Sequence, residues 1–137
     1  MTKTQITQLS YEIIGCAIKV HKELGPGLLE SVYEACLAYE LKEKGEKGFI
    51  VDQQISTKIN YEKIEIETPL KIDLLVNDTV IIEVKTVESL LPVHQAQLMT
   101  YMKLLKKPQG LLINFHTDNI SKSMIPLVNE YFTKLPE

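Results

Sequence analysis

The sequence predicts an α/β (α+β) fold, with two N-terminal helices ahead of a central mixed sheet that carries helices on its faces. Three observations carry this. Apolar side chains recur at helical spacing through residues 5–44, residues 49–85 read as strands and tight turns, and a strand–helix–strand unit spans residues 80–115. Such a unit is a crossover, which sets its last strand parallel to a strand of the preceding hairpin.

The first helix is expected over residues 5–24, where Ile6, Leu9, Ile13, Ala17, Val20 and Leu24 form one apolar face. Gly25-Pro26-Gly27 ends it and turns the chain. A second helix follows from Leu28 to about Lys44, with Gly45 as its stop. Its apolar face is wide (Leu29, Val32, Cys36 and Tyr39 together with Tyr33, Leu37 and Leu41), which implies burial on more than one side. Strands are expected at Phe49–Ile59 and Ile64–Thr68, joined by the turn Asn60–Lys63 and interrupted by Pro69. Two apolar strands meeting at Asn77-Asp78 come next, ending at Lys85. Pro92 opens a third helix that Pro108 closes after Lys107. Gly110–Phe115 is a short apolar strand of the interior parallel kind. The tail from Asn119 onward has no clear period, although Met124–Val128 suits an edge strand.

The chain of 137 residues suits a single domain over residues 1–137. An apolar content of 45% is that of a globular protein. No run reaches the ~20 apolar residues of a membrane span, and Met1–Gln5 lacks the pattern of a signal peptide, so cytoplasmic residence is expected. Cys16 and Cys36 lie among apolar neighbours in the helices and read as reduced, buried thiols. His21, His94 and His116 are scattered, and no Cys/His pair has metal-ligand spacing. Net charge is −3 and the chain contains no arginine. Bidentate readout of guanine is therefore largely unavailable, and sequence-specific recognition of nucleic acid through side chains of this chain alone is not expected.

The chemistry gathers in the central hairpin. Asp73 stands near the start of one strand, and Glu83 and Lys85 near the end of the other. Folding about Asn77-Asp78 brings all three to one edge of the sheet. Burying an ion costs of order several kcal/mol unless it is paired, so stability alone does not account for the grouping. Glu83 and Lys85 share one side of their strand, with Val84 opposite. Two carboxylates and the Val84 carbonyl suit a hard divalent cation, Mg²⁺ or Mn²⁺. Lys85 is then placed to orient a water or to meet developing charge. A cross-strand ion pair is the plain structural alternative. Gln97 and Tyr101 lie four apart on the helix that leaves the Lys85 strand, one face presenting two groups that can hydrogen-bond a phosphate or base. His94 sits one turn earlier. Glu30, in the first turn of the second helix, reads as a carboxylate on the helix dipole or as a further acid reaching the metal.

The set Asp73, Glu83-Val84-Lys85 and Gln97-x-x-x-Tyr101 resembles the PD-(D/E)XK nuclease superfamily, in the branch carrying a QxxxY motif. Gly25-Pro26-Gly27-Leu28-Leu29-Glu30-Ser31-Val32-Tyr33-Glu34, Gln53, His94–Leu98 and Gly110–Phe115 resemble its small GxxExxY group, in matching order over roughly residues 5–116. The resemblance implies a restriction-endonuclease-like core with a four-stranded mixed sheet. It implies Asp73 and Glu83 as metal ligands, Lys85 as the residue that positions the base, Gln97 and Tyr101 as supporting polar groups, and Glu30 as the acid of an N-terminal helix. Two departures stand out: Ile72 replaces the proline before the first acid, and Tyr61–Asp73 lacks a glycine-rich approach. Two functions follow as expectations, ranked above a third, a phosphodiesterase acting on a small nucleotide or on a modified nucleic-acid end. The first is a metal-dependent nuclease that cuts nucleic acid, DNA foremost, without strong sequence choice, in DNA processing or repair. The second is a catalytically silent module binding nucleic acid or a protein partner. A domain with little basic surface needs help to hold DNA, from a homodimer or a partner protein.

Overall fold

The computed structural model describes residues 1–44 and 48–137; Gly45, expected to stop the second helix, lies outside the described residues. Helix α1, Lys3–Leu24, starts from a capping box in which the Thr2 hydroxyl accepts from the Gln5 amide and the Gln5 side chain accepts from the Thr2 amide. Its buried face, Ile6, Leu9, Ile13, Cys16, Ala17 and Val20, is nearly the one its spacing predicts. Gly25 (φ 68°) and Gly27 (φ 103°) take left-handed backbone that L side chains rarely adopt, and the chain reverses into α2, Glu30–Lys42. Tyr33 locks this reversal. Its ring is fully buried and stacks on Phe115 at 4.5 Å, while its hydroxyl donates to the Gly25 carbonyl and accepts from the Leu28 amide at 3.2 Å.

The sheet has five strands: β1 Val51–Tyr61, β2 Ile64–Val76, β3 Val80–Lys85, β4 Gln109–Asn114 and β5 Met124–Val128. They lie in the order β1-β2-β3-β4-β5, antiparallel except for the parallel pair β3/β4. Helix α3, Pro92–Leu105, makes the crossover between those two, as the strand–helix–strand reading requires. A 3₁₀ turn at Ile120–Lys122 and a short α4 at Glu130–Thr133 frame β5. Two apolar layers result. Leu74, Val76, Val80, Ile82, Val84, Leu111 and Ile113 pack against α1 and α2, whereas Ile81 and Leu112 pack with Leu98, Tyr101 and Met102 of α3. Gly110 lets α3 approach closely, since a Cβ there would meet Met102 Sδ at 2.7 Å and Leu98 Cγ at 2.8 Å. No helix among the described residues is long and apolar enough to cross a membrane.

Four expectations need correction. The sheet has five strands rather than four, because Met124–Val128 pairs with β4. Pro69 does not end a strand. The ladder passes from Ser56↔Lys71 to Lys58↔Glu67, so Thr57 faces three residues, and its hydroxyl bonds the Leu70 carbonyl at 2.9 Å in a bulge that absorbs the missing proline donor. The turn before β2 is only Glu62-Lys63, with Glu62 at φ 51°. Finally, α2 buries one stripe and not two. Tyr33, Leu37, Ala38 and Leu41 are covered, but Leu29 and Tyr39 are exposed and Cys36 is only partly covered, because α1 and the sheet lie against one side of the helix.

Candidate active site

The β2/β3 ladder runs Val76↔Val80, Leu75↔Ile81, Leu74↔Ile82 and stops there. It begins at a turn in which Asn77 and Asp78 have φ near 50° and the Thr79 amide donates to the Val76 carbonyl, the geometry that matches strand twist. Where the ladder stops, side chains take over from backbone. Asp73 Oδ2 accepts from the Val84 amide at 2.8 Å, and the Asp73 amide points to Glu83 Oε1 at 3.4 Å. Alternation along β3 puts Glu83 and Lys85 on the Ile81 side, facing α3. Glu83 is only 5% exposed. Burial first, and then the Asp73 charge, push its carboxyl up to about 8, against a smaller downward pull from Lys85. Lys85 is partly exposed and makes no ion pair within 4.0 Å among the described residues, so it is not consumed by a cross-strand bridge.

A third carboxylate joins this edge, and it is one the sequence reading passed over. Glu34 of α2 accepts from Gln54 Nε2 at 2.6 Å and from Gln53 Nε2 at 3.0 Å, and Gln54 Nε2 also reaches Asp73 Oδ1 at 3.4 Å. Burial raises the Glu34 carboxyl, the nearby Asp73 charge raises it further, and the two glutamines oppose both. The available signal was the four-residue step from Glu30 to Glu34 on one helix face, read with two consecutive carboxamides in β1. Glu30 itself, expected to reach the metal, is exposed and accepts from the Thr86 amide at 3.2 Å. It ties the start of α2 to the residue after Lys85, and makes no hydrogen bond to Asp73 or Glu83 among the described residues.

Helix α3 covers the pair from the other side. Tyr101 is buried among Ile72, Ile81 and Leu98, and its hydroxyl is raised by burial and then by the Glu83 and Asp73 charges, which places it in their field. Gln97 is half-buried one turn earlier and makes no side-chain hydrogen bond among the described residues. His94 serves its own helix, because its Nδ1 accepts from the Leu91 amide at 2.9 Å and caps α3.

The donor set suits a hard cation. Asp73 and Glu83 offer oxygen only, and their mutual repulsion in a dry setting is what a divalent charge relieves. Among the described residues no three His, Cys, Asp or Glu side chains are grouped to hold a metal ion. Two carboxylates completed by backbone oxygen and water match the way Mg²⁺ keeps much of its hydration.

Comparison with known proteins bears on the fold and the family. No curated protein matches the chain. Among solved structures, one titled "Crystal structure of SSO0001" is similar in fold, with a TM-score of 0.56 and 21% identity over 72% of this chain. The matched region spans about half of that chain, 49%. A family model described as the PD-(D/E)XK nuclease superfamily matches residues 7–126, from α1 to β5 and through every acid discussed above, and the chain therefore belongs to that superfamily.

Proposed function

We propose that the protein is a Mg²⁺- or Mn²⁺-dependent nuclease that hydrolyses phosphodiester bonds, in DNA foremost, without strong sequence choice. The observation that supports this most is the Asp73–Glu83 pair at a ladder end, with Lys85 on the same side and without an ion pair among the described residues. Asp73, Glu83 and the Val84 carbonyl would hold the cation. When bound, the cation neutralises a phosphate oxygen and makes water a better nucleophile. The chain's own groups do the rest. The Val84 amide fixes Asp73, burial keeps Glu83 in one place, and the Lys85 ammonium is available to a phosphate oxygen or to the attacking water. Tyr101 closes the inner wall, and Gln97, half-buried and without a side-chain hydrogen bond among the described residues, is placed to donate to the substrate backbone. Backbone contacts of this kind position a strand without reading its bases.

A chain with no arginine and a net charge of −3 holds a polyanion weakly. That observation favours a second reading, a silent binding module or a subunit that depends on a homodimer or a partner protein for its grip. Cleavage of single- and double-stranded DNA and of RNA with Mg²⁺, Mn²⁺ or chelator separates the two. Cleavage that needs the cation and is lost in Glu83→Gln and Lys85→Ala, but kept in the exposed control Lys103→Ala, supports the enzyme. Binding that ignores the cation, with no cleavage of any substrate, refutes it.

A further inference from the structure

Among the described residues, five non-glycine residues have left-handed backbone: Gln54, Glu62, Asn77, Asp78 and Lys106. Four lie in turns or at a helix end, where that conformation is ordinary, and only Gln54 (φ 52°) lies inside a strand. Its effect is visible on both sides of the sheet. Ladder pairing passes from Gln53↔Leu74 to Ile55↔Ile72, skipping Gln54 and Asp73. On β1, Val51 packs with the α1/α2 layer and Ile55 with the α3 layer, although four residues apart they should share a face. On β2, Ile72 joins the α3 layer while Leu74 joins the other. The alternation slips by one residue on both strands at the same level, the level of Asp73.

The slip has a chemical consequence. Consecutive residues of a regular strand point to opposite faces, yet Gln53 and Gln54 both reach the Glu34 carboxylate, at 3.0 and 2.6 Å. With Gln54 anchored there, its second amide hydrogen is directed at Asp73 Oδ1, 3.4 Å away, while Val84 holds Oδ2. Both oxygens of the proposed cation ligand are thus oriented, one by backbone and one by a side chain whose backbone is strained. We propose that Gln54 is a positioning residue for Asp73, that Glu34 acts through it as its anchor, and that the left-handed strain at Gln54 is kept for this purpose. The inference rests on the proposed cation site. Strain of this sort is sustained where surrounding contacts over-determine it, and such places cluster at functional sites.

The test sets stability against cation affinity. Gln54→Gly removes the carboxamide and makes the left-handed backbone cost-free. Without added cation the variant is expected to melt above the wild type, while Mn²⁺ affinity measured by calorimetry falls on the order of 10–100-fold, the usual loss when a partner of a metal ligand is removed. A merely structural residue moves both quantities down together, and that result overturns the proposal. Glu34→Ala, which leaves the β1 backbone alone, is expected to lower Mn²⁺ affinity as well. The double variant should bind no more weakly than Gln54→Gly, because the two act in series. Losses that multiply would show Glu34 acting without Gln54 and overturn the chain of positioning. Glu83→Gln separates the two levels of argument. If it binds Mn²⁺ like the wild type, the cation site itself is refuted. If it loses Mn²⁺ while Gln54→Gly keeps it, only the role of Gln54 falls.

Discussion

Glu83→Gln should stabilise the cation-free protein, by an amount that grows with pH. In the wild type the carboxyl of Glu83 is raised from 4.5 to about 8, by burial and then by Asp73. An acid with a raised native pKa keeps its proton longer when folded. Between about pH 4.5 and about pH 8 the native state therefore binds more protons than the unfolded chain, and stability falls as pH rises through that window. A shift from 4.5 to about 8 corresponds to a ceiling of about 5 kcal/mol, of which roughly 3 kcal/mol is already lost at neutral pH. Glutamine fills the same space without titrating. The variant and the wild type should differ by less than ~1 kcal/mol near pH 5, part by roughly 3 kcal/mol at neutral pH, and approach the full gap near pH 9.

Urea unfolding of both proteins in chelator at those three pH values measures the gap directly, because every other titrating group is common to the two. Saturating Mn²⁺ provides an internal check. Cation at about a hundredfold over its Kd adds about 2.7 kcal/mol to the wild type, and it should add far less to Glu83→Gln. A gap that stays constant from pH 5 to pH 9 refutes the reasoning, because it would mean that Glu83 is solvated or already neutralised by a permanent partner.

Tyr33→Phe keeps the stack on Phe115 but strands the Leu28 amide and the Gly25 carbonyl; a loss of about 1–3 kcal/mol by denaturant unfolding is expected. Gly110→Ala forces a methyl against Leu98 and Met102 where α3 crosses the sheet, and overpacking of this kind should lower stability by about 1–3 kcal/mol in the same assay. Lys85→Ala should leave the melting temperature within a degree or two of the wild type, since Lys85 makes no ion pair among the described residues, and should abolish any cation-dependent cleavage in a gel assay.

The elements that sequence places well are those in which one local rule decides. Helix α1 has a single apolar stripe and a glycine stop, and Asn77-Asp78 is a turn whose backbone twist suits a hairpin. Glu83 and Lys85 were legible for the same reason: alternation along an all-apolar strand leaves two charged side chains on one side. The failures occur where one strand answers to another. Pro69 signals a break within its own segment, but Thr57 across the ladder supplies the hydrogen bond that lets β2 continue. Glu34 is one of several acids on α2, and nothing local marks it. It joins the site because Gln54, 20 residues later, adopts a conformation that glutamine seldom prefers. Glu30 was the acid that the motif singled out, and its bond to Thr86 stabilises the loop beyond Lys85 instead.

The site stands where the regular hydrogen bonding of the sheet ends, and that placement explains its chemistry. Along the paired stretch of β2 and β3, from Val76↔Val80 to Leu74↔Ile82, every residue is apolar and none brings a carboxylate. One step further, the Val84 amide has lost its cross-strand carbonyl on β2, and Asp73 fills the vacancy with a side chain. A carboxylate held in this way is oriented by the backbone yet retains lone pairs for a ligand. Glu83 beside it is buried against the layer that α3 closes, where the dielectric is low and a cation is attracted more strongly than at the surface. The same burial lifts its pKa, so at neutral pH without cation the carboxyl is largely protonated, and binding must displace that proton. Cation affinity should therefore rise about tenfold per pH unit below about 8 and level off above it, and calorimetry at pH 6, 7, 8 and 9 measures the slope. A pH-independent affinity would place the cation away from Glu83, on Asp73 and its α2 neighbours.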